Sequence, residues 1–174
     1  HVVDTSGNTW RNAMAVARAK KKKGKQYDKR DYKKVAEANR LCLACAIEQA
    51  YEDLGWRDVR INRLVSTYDT QMCKADELMK QGVADVPTVL AKQSGTWLGV
   101  DIIAISKDFG DEYKQCCYKL CLAIMVQTLK ALKVRKTRIK MILYEIRYDF
   151  LNYEIWSVFK DIEYKTGCDV REVF

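Results

Sequence analysis

The feature that most constrains this sequence is a period. Between Asp58 and Gln81 the residues Ile61, Val65, Tyr68, Met72, Ala75 and Met79 recur at steps of three and four. That spacing lines one face of an α-helix and no face of a strand. A similar rhythm runs through Tyr32, Val35, Leu43, Ala46/Ile47, Ala50 and Leu54, where Asn39 is a polar misfit, and again through Tyr113, Cys117, Leu120/Cys121, Ile124 and Leu129. The punctuation agrees. One proline and eight glycines in 174 residues are too few for an architecture of many strands and tight turns.

The expected fold is therefore an all-α, compact bundle of seven to nine helices in a single domain, residues 1–174. A first helix over about 9–22 runs into Lys20–Lys23 and stops at Gly24. A second extends from near Asp28 to Leu54-Gly55, and a third covers 58–81 and is closed by Gly82. Asp85 caps a short helix with Pro87 in its first turn, a favoured place for proline. Later helices run from Gly110-Asp111 to about Leu132 and from about 135 to the low 150s, and a final pair flanks Thr166-Gly167. The run TWLGVDIIAIS (96–106) is β-branched and too short for periodicity to decide; a small β element near 97–105 is the alternative there.

Charge is distributed unevenly. The chain carries +8, yet residues 11–40 hold twelve Lys/Arg against three Asp/Glu, so the remainder is close to neutral. Within this segment Tyr27 and Tyr32 are interleaved with Lys25, Lys29, Arg30, Lys33 and Lys34, just after Lys20, Lys21, Lys22 and Lys23. Rings among cations suit base stacking combined with phosphate contact, and a polyanion would relieve the self-repulsion of the segment. Lys133, Arg135, Lys136, Arg138 and Lys140 form a second basic patch. These sixteen residues are the candidate nucleic-acid contacts. The ordinary alternative is a solvated helix face. The expected partner is nucleic acid or a nucleoprotein, with no membrane: the apolar runs are too short to span one.

Catalytic equipment is sparse. The only histidine is His1, which leaves triad chemistry without a base. Phosphate-loop and dinucleotide fingerprints are missing; Gly95-Thr96-Trp97-Leu98-Gly99 has no lysine placed for the former. Seven cysteines, an odd number with no apolar leader at the start, suggest a reducing cytoplasm. Cys42, Cys45, Cys117 and Cys121 have spacings that two helices could offer to zinc, but they lie among Leu, Ile and Ala, where cysteine acts as a small apolar residue. The expectation is a non-enzyme without cofactor or metal. Two alternatives are a metal-dependent nuclease, using Asp101 or Asp108 with Glu112 and Lys114, or Asp161, Glu163 and Lys165, and a helix-turn-helix regulator in FKDIEYKTGCDVREVF (159–174). Trp10, Trp56, Trp97 and Trp156 read as core or interface anchors.

The lysine-rich start, the thiols within helices such as LCLACAIEQAYEDLGW (41–56) and the lack of catalytic motifs together resemble small helical accessory proteins of phages and mobile elements, including the anti-CRISPR class. The resemblance implies an inhibitor of a guide-RNA-loaded nuclease. It carries over no individual residue.

Overall fold

The computed structural model describes residues 29–172, and these form seven α-helices and a final 3-10 turn. They are α1 (Lys29–Asp53), α2 (Asp58–Lys80), α3 (Val86–Leu98), α4 (Ile102–Ser106), α5 (Glu112–Ala131), α6 (Lys136–Asn152) and α7 (Ile155–Thr166), followed by Val170–Glu172. The all-α bundle read from the sequence is what the chain adopts. The helix expected at 9–22 lies outside the described residues.

Two helices form the centre. In α1 every residue from Leu41 to Ile47 is buried, and in α5 every residue from Leu120 to Val126. A helix apolar on all sides must be covered on all sides. Accordingly α5 is surrounded by α1, α2, α3, α4 and α6, and α1 by α2, α5, α6, α7 and the 3-10 turn. The outer helices are one-sided. In α2 the stripe Ile61, Val65, Tyr68, Met72, Ala75 and Met79 is buried, as the period required; in α7 only Val158, Phe159 and Ile162 are.

Asn39, the misfit of the α1 pattern, is completely buried. Its Nδ2 donates to the Val35 carbonyl at 3.0 Å, and its Oδ1 accepts the Tyr68 hydroxyl at 2.6 Å. The polar residue is thus matched by the one hydroxyl in the α2 stripe, and the pair fixes the register of α1 on α2.

The structure corrects two local expectations. Among the described residues there is no strand at 97–105: α3 continues to Leu98, Gly99 turns the chain at φ 79°, and Ile102–Ser106 is one helical turn. The Asp101 carboxylate accepts from the Ala104 amide at 3.0 Å and starts that turn. A lone β-branched run with no second strand to pair has no sheet to join. Asp85 is the N-cap of α3, but it sits in the left-handed region at φ 48° and its side chain makes no capping bond. Gly95 explains itself by contact rather than by phosphate: a Cβ there would lie 2.5 Å from the Val100 carbonyl oxygen, and that turn packs directly on the helix.

Removing the Tyr68 hydroxyl leaves the buried Asn39 acceptor unsatisfied. Tyr68→Phe is expected to cost about 1–3 kcal/mol, read as a lowered midpoint in urea with unchanged slope.

Candidate nucleic-acid interface

Described members of the two basic patches, Lys34 and Lys133, lie at opposite ends of α5. Lys34, in the second turn of α1, reaches the α5 N-cap residue Asp111 at 3.3 Å and sits 5.8 Å from the Tyr113 ring centre. Lys133 follows the other end of the helix. Twenty residues separate the ends, about 30 Å at 1.5 Å per residue. Of the N-terminal candidates, Lys20, Lys21, Lys22, Lys23, Lys25 and Tyr27 lie outside the described residues. Lys29, Arg30 and Tyr32 belong to the first turn of α1. Lys33 is exposed, whereas Lys34 is engaged by its own molecule.

The second patch is better defined. The ends of three helices meet around Trp97, near the close of α3. Lys130, from the last turn of α5, and Lys136, the first residue of α6, stand 4.7 and 4.8 Å from the centre of its indole ring. The Lys140 ammonium comes within 3.8 Å of where a Cβ on Gly99 would be. Lys133 and Arg135 are exposed on the connecting turn. Lys130, absent from the sequence-derived set, is recruited by the fold, since its helix ends where α6 begins. Arg138, by contrast, is turned inward: it is ion-paired to Asp53 at 2.8 Å and bonded to Gln49 at 3.2 Å. Lys130, Lys133, Arg135, Lys136 and Lys140 have no carboxylate partner among the described residues.

Two aspects of this corner oppose stability. The first turn of α6 contains no acidic residue and has a cation at its N-cap, Arg135, where the helix dipole favours negative charge by about 0.3–1 kcal/mol per group. The C-terminal end of α3 offsets part of that. Lys133 also adopts φ 62°, and the Val134 amide bonds back to the Leu129 carbonyl at 3.0 Å, a turn in which glycine is the usual residue. Helices α1, α2, α3 and α7 all place a glycine with positive φ at this point: Gly55, Gly82, Gly99 and Gly167. Only α5 uses a lysine, at about 1 kcal/mol of strain.

Most of the carboxylates proposed for a nuclease have structural duties. Asp101 caps α4 and Asp108 holds Arg147 at 2.6 Å; Glu112 is exposed in the first turn of α5, next to the capping residue Asp111, which accepts the Lys114 amide at 2.8 Å. Asp161 is bound to Lys165 at 3.0 Å, and Glu163 to Arg171. Among the described residues no group of three or more His, Cys, Asp or Glu has the disposition of a metal site. The four cysteines diverge: Cys42 faces Cys121 where α1 packs on α5, while the Cys45 thiol donates to Asp149 at 3.3 Å. None of the seven is in a disulfide, and burial pushes the Cys42 and Cys45 thiols well above their ordinary pKa. In the 159–174 segment Gly167 turns at φ 74°, and the next described element is the single turn Val170–Glu172, with Arg171 held by both Asp169 and Glu163. No described helix is long and apolar enough to cross a membrane.

Sequence reasoning missed a group of acids at the junction of α1, α6 and α7. Glu48 and Glu145 share a hydrogen bond, and Gln49 donates another to Glu145. Lys165 lies 3.7 Å from Glu48 and 4.0 Å from Glu52. Burial first, and then the neighbouring Glu145, push the Glu48 carboxyl up to about 7 despite Lys165. Burial raises Glu145 and Asp149 as well. Glu48 is far in sequence from Glu145 and Asp149, and no local pattern announces the group.

No protein-family model, no curated protein and no solved structure matches this chain.

The shared proton has a measurable consequence. Glu48 keeps its proton in the folded protein to about pH 7 but loses it in the unfolded chain near the ordinary glutamate value. The native state therefore binds more protons between these limits, and stability falls as pH rises through the window. Glu48→Gln should flatten this dependence and raise the thermal midpoint at pH 8 relative to the parent, as followed by circular dichroism from pH 5 to 8.

Proposed function

We propose that the protein is a non-enzymatic binder of nucleic acid or of a nucleoprotein. The observation that carries this reading is the corner around Trp97, where five cations converge without a carboxylate partner among the described residues. Lys130 and Lys136 pack on the Trp97 ring, but the dipole of α6 disfavours the cluster and the left-handed Lys133 adds strain. Charge held against the stability of the fold is characteristic of residues kept for a ligand. A phosphate chain supplies the missing negative charge and releases counterions as it binds.

Lys20, Lys21, Lys22, Lys23 and Lys25, outside the described residues, and the exposed Lys33 are the proposed further phosphate contacts. A duplex reaching from Lys33 to Lys133 would cross the length of α5, roughly nine base pairs at 3.4 Å each. The resemblance to anti-CRISPR proteins gives the narrower version, in which the polyanion is the guide or target strand of a loaded nuclease and binding blocks cleavage. That version is tested by target cleavage with purified guide-loaded effectors and excess protein; full cleavage by each of a panel of effector types counts against it.

Fluorescence anisotropy with labelled DNA and RNA over a salt series tests the general reading. Replacing Lys20–Lys23 by glutamate, or Lys133 and Lys136 by glutamate, should each weaken binding irrespective of sequence. For every phosphate that a variant no longer neutralises, the log–log salt slope should become shallower by about 0.9 on duplex DNA or 0.7 on single strands. Affinity and slope unchanged in both variants would overturn the assignment.

Lys133→Gly separates ligand from fold. It relieves the positive-φ strain and should raise stability by about 1 kcal/mol, while lowering oligonucleotide affinity. Denaturation and anisotropy on the same preparation read the two opposite effects.

A further inference from the structure

The outer face of α6 carries a line of apolar side chains that nothing among the described residues covers. Met141, Tyr144, Tyr148 and Leu151 are each at least half exposed. Their steps of three, four and three place them along one helix face. The spacing reads the same in both directions. Rotating the helix by 180° about a point between Tyr144 and Tyr148 lays the line on itself, Met141 meeting Leu151 and Tyr144 meeting Tyr148.

We infer that this face is the interface of a two-fold symmetric dimer in which α6 packs antiparallel against α6 of a second copy. A closed dimer needs one self-complementary patch, and the palindromic spacing provides it. The flanking charges match the same operation. Lys140, on the edge of the line near its start, has no carboxylate partner among the described residues, and Glu154, just past the end of α6, has no basic partner there. The rotation brings Lys140 of one copy towards Glu154 of the other, twice. The two Arg147 side chains meet near the axis, but each already holds its own Asp108 carboxylate at 2.6 Å, so that point is neutral.

Tyr153, in edge contact with Tyr148 at 6.0 Å, extends the patch. With about 100 Å² from each of the five side chains, half of what a large one buries, each copy contributes roughly 500 Å². The total of about 1,000 Å² is at the threshold for a specific protein interface. A second copy fits better than nucleic acid here. Met141 and Leu151 have no π-face for a base, and Glu154 would repel a phosphate chain.

Sedimentation equilibrium of the full chain over a concentration series tests the proposal. The expected result is a reversible monomer–dimer equilibrium. Lys140→Glu alone and Glu154→Lys alone should each weaken the dimer at least about tenfold, roughly one interfacial charge pair per side made repulsive. The double variant should recover association to within a few-fold of the parent. Circular dichroism confirms that each variant folds. A protein monomeric at the highest concentration overturns the proposal, as does a dimer indifferent to both reversals. So does a monomer whose Tyr148→Ser variant loses oligonucleotide affinity, which would make nucleic acid the occupant of the face.

Discussion

The fold rests on the packing of α1 against α5. Both helices are buried on every side over two turns, and Cys42 lies against Cys121 where they meet. Cysteine fills the space of a small apolar residue and asks for little hydrogen bonding. This accounts for thiols whose pKa values are pushed up by burial rather than lowered for reaction. It also accounts for a C-x-x-C spacing whose two thiols point to different neighbours, Cys42 to a thiol and Cys45 to a carboxylate. The remaining helices are arranged by the need to cover this pair, and the Asn39–Tyr68 bond sets where α2 must lie.

Covering the core divides the charged residues into two populations. On one side, at the α1–α6–α7 junction, acids crowd together and the fold supplies Lys165 and Arg138 to hold them. At the other, near Trp97, cations crowd together and the fold supplies indole and a helix C-terminus but, among the described residues, no carboxylate. Arg138 shows the difference most clearly. It belongs by sequence to the basic patch, but it faces Asp53 and serves the acidic junction. Lys130 moves the opposite way, from a solitary residue at the end of α5 to a member of the cluster. Net charge predicts neither exchange, because helix phase determines which way each residue points.

What could be read in the sequence follows from this. Helix existence was legible wherever a period ran long enough: every residue of the α2 stripe is buried, joined by Leu64 and Asp76, and Gly82 marks its end. The 97–105 run misleads because β-branched composition measures fit to a sheet, and the described residues hold no second strand to provide one. Asp85 misleads because cap identity does not determine cap conformation. Its backbone is left-handed and its side chain makes no capping bond to α3. The pairing of Glu48 with Glu145 was invisible, since it joins helices ninety-odd residues apart and neither residue interrupts its local pattern. The exposed line on α6 was obscured for a related reason. Its residues are apolar at helical spacing, which from sequence alone reads as core.

The place of α6 in the bundle removes that ambiguity. Its buried residues Ile139, Ile142, Leu143 and Ile146 face the other helices, and the exposed line runs along the opposite side. A helix apolar on two sides is either central, as α1 and α5 are, or shared between two bodies. Helix α6 is peripheral in this bundle, which is the ground for proposing the second description. On the two proposals, its basic N-terminal end would address a polyanion and its palindromic line a second α6. In such a pair the two Trp97 corners would lie beyond opposite ends of the shared helix seam, about 25 Å in length for 17 residues at 1.5 Å each. A dimer built this way would present two basic corners related by the same axis, a geometry that favours an extended polyanion over a compact one.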